Sequence, residues 1–343
     1  MKAQKVFKRL VIALISLVLF ITGFEILLRV SGKEPWSPVS HIDSPKAFQV
    51  DPMIGWKNKP GTYFFPKFTP DTIRATMNIN NEGFRSTSPR PVKDAKTVVI
   101  AGGSYIMAWS VSDDQTFAWK IGERFEDLRV INMGSAGYST YQSLLSIKDY
   151  LSSHEQKPDL VIYGFDYFQI ERNVAVPTFA NGLARFNREQ RLGLPYCRLS
   201  SEPGRDLEYF HPEIYPDWPL KKYLALVNEA EFLYVRIKHK ESYSQQHTVT
   251  ELLLKEMAAL CESNNVDLLI VTMIIPDQFG LKYLHFMENQ KIDCISCSID
   301  YFKTGNFVPG DLHPNEKVHD HWAECIGNAI EERLYQKSTK EKS

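Results

Sequence analysis

The sequence is short of cysteine, of net charge and of long hydrophobic runs, and each shortage excludes something. Five cysteines in 343 residues are too few for a disulfide scaffold in a chain of this size. Cys294 and Cys297 stand at the spacing of a redox motif. The surrounding residues 291–300 alternate like a strand, without the strand-to-helix opening such motifs use, so packing or a local disulfide accounts for the pair. A zinc site would need two further ligands at useful spacing, and the sequence does not supply them. No metal or cofactor is expected. Forty Lys plus Arg against 41 Asp plus Glu leaves a net charge of −1, with no basic stripe, which argues against nucleic acid as a partner. Internal repeats are absent, and so is low complexity apart from a charged tail at 337–343. A hydrophobic share of 43% excludes a disordered chain.

The single long apolar run lies at the start. Residues 1–9 are cationic, with Lys2, Lys5, Lys8 and Arg9, and residues 10–28 are apolar except for Ser16, Thr22, Gly23 and Glu25. At the helical rise that run covers about 28 Å, close to the ~30 Å of a bilayer's hydrocarbon. It is too long for a signal peptide's apolar region and lacks a small-x-small exit. Residues 10–30 therefore predict a transmembrane signal-anchor helix, with a basic tail at 1–9 on the cytoplasmic side. The rest would face outward, into the periplasm if the cell is Gram-negative. Glu25, near the outer end, reads as a tolerated charge within reach of the interface.

Residues 33–95 form a lead-in rich in Pro, Asn, Thr and aromatics. Stretches 51–56, 61–65 and 72–78 predict short strands, and Phe84 is a candidate pin onto the main body. From residue 96 the pattern becomes alternating strands and helices. Strands are expected at 97–101, 129–133, 159–163, 267–275 and 291–299. Helices are expected at 113–125 (capped by Asp113 or Asp114), from Ser139 or Thr140 to about 151, at 248–264 and at 314–335. Near-continuous apolar strands of this kind belong to a parallel sheet covered on both faces. Residues 172–245 interrupt the alternation and read as a cap over a site, their aromatics mostly forming its core. The α/β domain runs from 96 to 336.

The strand ends carry the chemistry. The first strand runs into Gly102-Gly103-Ser104, the second into Asn132-x-Gly134-x-x-Gly137, and the third into Gly164-Phe165-Asp166. Asp311-Leu312-His313-Pro314-Asn315 precedes the last helix. A Ser, a His and an Asp at separate strand ends are the parts of a nucleophilic acyl-transfer site. Backbone N–H groups of Ser104 and Gly137 can bind an oxyanion, because glycine admits close approach. Gly134 reads as a turn requirement, and His319 and His321 as ordinary residues of the last helix.

In this order of blocks, over about 97–170 and 245–335, the chain resembles an SGNH (GDSL-type) hydrolase in its membrane-anchored bacterial form. The resemblance implies a flavodoxin-like three-layer α/β/α fold around a parallel sheet of about five strands. It makes Ser104 the nucleophile and first oxyanion donor, Gly137 the second donor, and His313 the base with Asp311 behind it. Gly55-Trp56 and residues 81–85 are similar to lead-in segments of such proteins.

Three positions depart from the family pattern. Gly-Gly-Ser replaces Gly-Asp-Ser. Asp166 stands where an Asn normally donates to the oxyanion, which an ionised carboxylate cannot do. Either Asp166 is protonated, or Asn173 serves instead, or two backbone donors suffice. Asp311 and His313 are two residues apart rather than three, a spacing similar to that of SGNH-like polysaccharide O-acetyltransferases. The expectation is an extracytoplasmic serine esterase of the inner membrane that removes an acyl group, such as acetyl, from an envelope carbohydrate or lipid. The alternatives are an O-acyltransferase acting on a surface polysaccharide and a degenerate glycan-binding member.

Overall fold

The computed structural model describes residues 2–39, 46–67, 69, 74–88, 95–186, 191–300, 303 and 305–336. The charged tail at 337–343 and the first part of the strand expected at 72–78 lie outside them. Helix α1 (Lys2–Val30) contains the apolar run, is long and apolar enough to cross a membrane, and is almost wholly exposed. The lead-in holds two antiparallel pairs, β1 (Phe48–Asp51) with β2 (Gly55–Asn58), and β3 (Gly61–Phe64) with β4 (Thr76–Ile79). Of the strand expected at 51–56, Asp51 ends β1 and Gly55 and Trp56 begin β2, while residues 52–54 are the turn between them. There the Asp51 carboxylate accepts hydrogen bonds from Met53 and Ile54 N–H, a local bond that bends the backbone out of an extended path.

The α/β domain follows as β5 (Lys96–Gly102), α2 (Ser104–Met107), α3 (Phe117–Arg124), β6 (Leu128–Asn132), α4 (Thr140–Ser153) and β7 (Leu160–Asp166). Then come α5 (Phe168–Arg172), α6 (Pro177–Phe186), an antiparallel pair β8 (Gly193–Leu199) and β9 (Leu207–Ile214), α7 (Ala225–Lys238) and α8 (Ser242–Ser263). The domain closes with β10 (Asp267–Ile274), α9 (Asp277–Asn289), β11 (Cys294–Ser296) and α10 (Glu316–Ile330). One parallel sheet runs β11-β10-β7-β5-β6, the doubly wound order whose switch point lies between β5 and β7. This is the flavodoxin-like arrangement expected. All seven residues of β7 are buried, because the sheet is covered on both faces. Val99, Val161 and Tyr163 pack toward α4 and α8, while Val98, Ile100 and Ile162 pack toward α3 and α10.

Two local expectations are corrected. Thr116, not Asp113 or Asp114, caps α3, and residues 113–115 form a single 3-10 turn before it. Asp113 is instead held by an arginine, described below. Cys297 pairs with Cys325 of α10, not with Cys294, which is free. The cap residues 172–245 supply α6, β8, β9 and α7. Tyr196 and Tyr215 are buried in them, whereas Phe186, Tyr209 and Trp218 are exposed, so the cap's aromatics only partly form a core.

Candidate active site

Ser104 opens α2 at the carboxyl end of β5, with Gly103 as the residue before the helix. The chain can turn here only because two glycines lie beneath the turn. A Cβ on Gly102 would meet the Ile106 side chain at 2.4 Å and the Gly164 carbonyl oxygen at 2.9 Å. A Cβ on Gly134 would meet the Met107 nitrogen at 2.3 Å. Gly134 thus allows the second strand end to lie directly against α2, a close-approach requirement more than a turn requirement. Its own N–H donates to the Asn132 Oδ1 at 3.0 Å, and it is not available as an oxyanion donor. The N–H of Ser104, at the first helical position, has no intrahelical partner.

His313 and Asp311 come together as the sequence suggested. The imidazole Nδ1 lies 3.0 Å and 3.2 Å from the two Asp311 oxygens, and the carboxylate fixes that nitrogen as the protonated one. Burial pushes the Asp311 carboxyl up. Bonds from His313, the Ser110 hydroxyl and Leu312 N–H outweigh burial and hold it below the usual carboxylate range. Ser110 donates directly to Asp311 Oδ2. The His313 ring stands 5.9 Å from the Tyr105 ring and 6.3 Å from that of Trp109, both on the segment that begins at Ser104. No hydrogen bond joins Ser104 to His313 among the described residues, and in unliganded sites that bond is commonly long.

The lead-in fixes this segment, which sequence reasoning missed. Arg85 is 1% exposed. Its Nε donates to Asp113 at 2.6 Å, Nη1 to the Met107 and Ala108 carbonyls, and Nη2 to the Val111 carbonyl. One guanidinium therefore gathers the last carbonyls of α2 and the turn beyond it. Ala108 and Ser110 in that turn have positive φ, a conformation that such residues keep only when their surroundings hold them. Nothing in residues 81–85 marks Arg85 for burial, since Glu82 in the same segment is exposed, and only the fold brings the guanidinium to residues 107–113. Phe84, the expected pin, contributes a ring 6.2 Å from Tyr150. Trp56 supports the second strand end. Its Nε1 donates to the Ala136 carbonyl at 3.1 Å, and a Cβ on Gly137 would touch the Trp56 ring at 3.3 Å. Gly137 takes φ +82°.

Asp166 ends β7, 2% exposed. Its Oδ1 accepts from Phe168 N–H at 3.0 Å. Its Oδ2 lies 3.3 Å from the point a Gly103 Cβ would occupy, and Gln169 Nε2 and Arg172 Nη1 lie 3.3 Å and 3.5 Å from the same point. The carboxyl therefore sits against the backbone that precedes Ser104. Burial pushes it up to about 6, against the Arg172 charge, two backbone N–H groups and His313. Arg172 donates from Nη1 to the Tyr138 carbonyl at 3.0 Å, while its buried Nε has no hydrogen-bond partner among the described residues.

Asn173, proposed from sequence as a substitute donor and substrate contact, does not reach the site. It is fully buried. Its oxygen accepts from Tyr141 N–H, and its amide nitrogen donates to the Thr140 and Thr250 hydroxyls. Both ends of the amide hold α4, α5 and α8 together. His319 is also fully buried, stacked on Phe117. Burial there pushes its imidazole down to about 3, so it is a neutral core ring. Among the described residues no cluster of His, Cys, Asp and Glu is arranged to hold a metal ion.

No protein-family model matches the chain, and no curated protein matches it. Solved structures are similar in fold. A member of the lipolytic protein G-D-S-L family from Veillonella parvula shares 13% identity, over 67% of this chain and 95% of that one, at a TM-score of 0.39. A putative lipolytic protein of the same family from Desulfitobacterium hafniense shares 11%, over 68% and 98%, at 0.40. An SGNH-hydrolase family esterase shares 13%, over 70% and 99%, at 0.25.

Proposed function

We propose that this chain is a membrane-anchored serine ester hydrolase of the SGNH type, with Ser104 as nucleophile, His313 as base and Asp311 as its orienting carboxylate. The observation that carries the reading is the Asp311–His313 pair, bonded at 3.0 Å and secured by Ser110 from the segment that Ser104 begins.

In the first step the Ser104 hydroxyl oxygen attacks the ester carbonyl carbon and its proton passes to His313 Nε2. Asp311 stabilises the imidazolium through the Nδ1–H bond. The carbonyl oxygen becomes an oxyanion, held by the N–H groups of Ser104 and Gly137. Collapse breaks the ester C–O bond, and the leaving alcohol takes the proton from His313. A second oxygen nucleophile, activated by the same imidazole, then releases the acyl group. That nucleophile is water in a hydrolase and a sugar hydroxyl in a transferase, the alternative toward which the two-residue Asp–His spacing leans.

Helix α1 supports anchoring, since its span is apolar and exposed. The Cys297–Cys325 bond supports placing the domain in an oxidising compartment, outside the cytoplasm. The substrate class proposed is an acylated envelope carbohydrate or lipid. With an aryl acetate as substrate, Ser104→Ala in the full-length protein should lower turnover by roughly 10³-fold or more. Turnover retained in that variant would rule out the assignment. Adding a glycan acceptor then divides the two reactions, because transfer acetylates the acceptor and hydrolysis leaves only acetate.

A further inference from the structure

Helix α7 begins without a capping side chain of its own, because Leu224 precedes it. The missing acceptor comes from the membrane helix. Glu25 of α1 accepts from Ala225 N–H through one oxygen and from Leu226 N–H through the other, each at 2.9 Å, satisfying two of the donors that every helix start leaves open. Arg29 holds the same carboxylate at 2.7 Å and donates onward to the Tyr223 carbonyl. Lys33 pairs with Glu229 at 3.2 Å, and Asn228 donates to the Glu34 carbonyl. Glu25 is thus no tolerated charge. It joins the end of the anchor to the cap and fixes the level at which α7 starts. Glu25 lies five residues before Val30, the last residue of α1, so α7 starts about 7–8 Å below that helix end.

The face of α7 turned away from the domain is apolar. Ala225, Glu231 and Val235 are buried, whereas Leu226, Ala230, Leu233 and Ile237 follow helical spacing down the opposite side. Leu233 is 53% and Ile237 64% exposed, with Tyr223 (72%) and Tyr234 (48%) beside them. Lys222 and Arg236 flank the stripe, and neither is ion-paired among the described residues. Leu226 and Ala230 are half-buried near the contact with α1, and an apolar stripe that is exposed beyond them and edged by tyrosines and cations is the pattern of a helix lying in a membrane interface. The stripe begins where α1 packs on α7, so the lipid-facing surface of α1 continues onto it.

We infer that α7 lies in the headgroup region of the same bilayer that α1 spans, so that the cap rests on the membrane surface. This inference rests on the anchoring reading above. Its occupant is lipid, with the apolar stripe in the acyl boundary and Lys222 and Arg236 at headgroup phosphates. A site resting on the membrane in this way would draw its substrate from the bilayer surface and not from bulk solution.

Spin labels test this in the full-length protein, reconstituted in phosphatidylcholine vesicles containing phosphatidylglycerol. Labels go on Leu233→Cys and Ile237→Cys in a Cys294→Ser background, with Leu17→Cys in the anchor and Glu202→Cys on an exposed hairpin turn as references. Collision with oxygen, which concentrates in lipid, is compared with collision with a water-soluble nickel chelate. The inference expects oxygen to dominate at 233 and 237 as it does at 17, with nickel dominating at 202. Nickel dominating at 233 and 237 while 17 remains in lipid would overturn the inference and leave anchoring intact. Low access to both reagents at 233 and 237 would also overturn it, because a second copy or another protein would then cover the stripe. Nickel dominating at 17 would overturn the anchoring reading itself.

Discussion

Asp166 holds the strand end where the resemblance calls for an amide. Its carboxyl has little water around it and is pushed up to about 6, so it is neutral, and a donor, only in mildly acidic solution. The same shift affects stability. The folded protein keeps its proton between 3.8 and about 6 while the unfolded chain has released it, so stability falls as pH rises through that window. By pH 7 the gap amounts to about 3 kcal/mol. Asp166→Asn preserves the acceptor for Phe168 N–H and adds an amide donor that does not titrate. The variant should be more stable than the parent at pH 7 by about 2–3 kcal/mol, with the difference fading below pH ~4. Its kcat should rise, since one oxyanion donor is worth on the order of 10²–10³ in rate. Urea unfolding at several pH values checks the first statement. Equal midpoints at pH 7 would show that Asp166 bears no burial cost.

At the scale of elements, the lead-in hairpins are part of the site's framework. Arg85 bonds four groups between Met107 and Asp113, while Trp56 supports the Ala136–Gly137 turn. Removing one member of a buried ion pair strands the other, at a cost of about 3–5 kcal/mol. Arg85→Met should therefore be destabilised by that amount, and Arg85→Met/Asp113→Asn by less than the single variant, because no charge is then left unpaired and the amide oxygen still accepts from Asn78. A double variant no more stable than the single one would mean that the guanidinium's role is not to pair with Asp113. Local patterning had suggested only a β-rich extension here. Sequence spacing places Arg85 just after a turn, but its bridge to Asn132 and its three carbonyl partners are defined by the fold alone. The same holds for Cys297 and Cys325, 28 residues apart in sequence, where the nearer Cys294 had drawn attention.

Across the whole molecule, the legible part was what repeats with a period or ends in a glycine. The five strands and their parallel arrangement follow from apolar runs alternating with helices, whereas Ser104, Gly137, Asp311 and His313 are singled out by residue type and by the order of their blocks. Partners supplied from afar were not legible, because a side chain's sequence neighbours say nothing about them. Asn173 looked free beside the third strand end and is fully engaged with α4 and α8. Glu25 looked incidental within an apolar run and caps α7. These contacts make one continuous framework from the anchor through the cap to the sheet. The central claim is that this framework presents Ser104 as a live nucleophile, and a fluorophosphonate probe on the full-length protein tests it most directly. The account predicts a covalent adduct on the peptide containing Ser104, slowed in His313→Gln and absent in Ser104→Ala. An unlabelled parent protein, or an adduct that persists in Ser104→Ala, would contradict it.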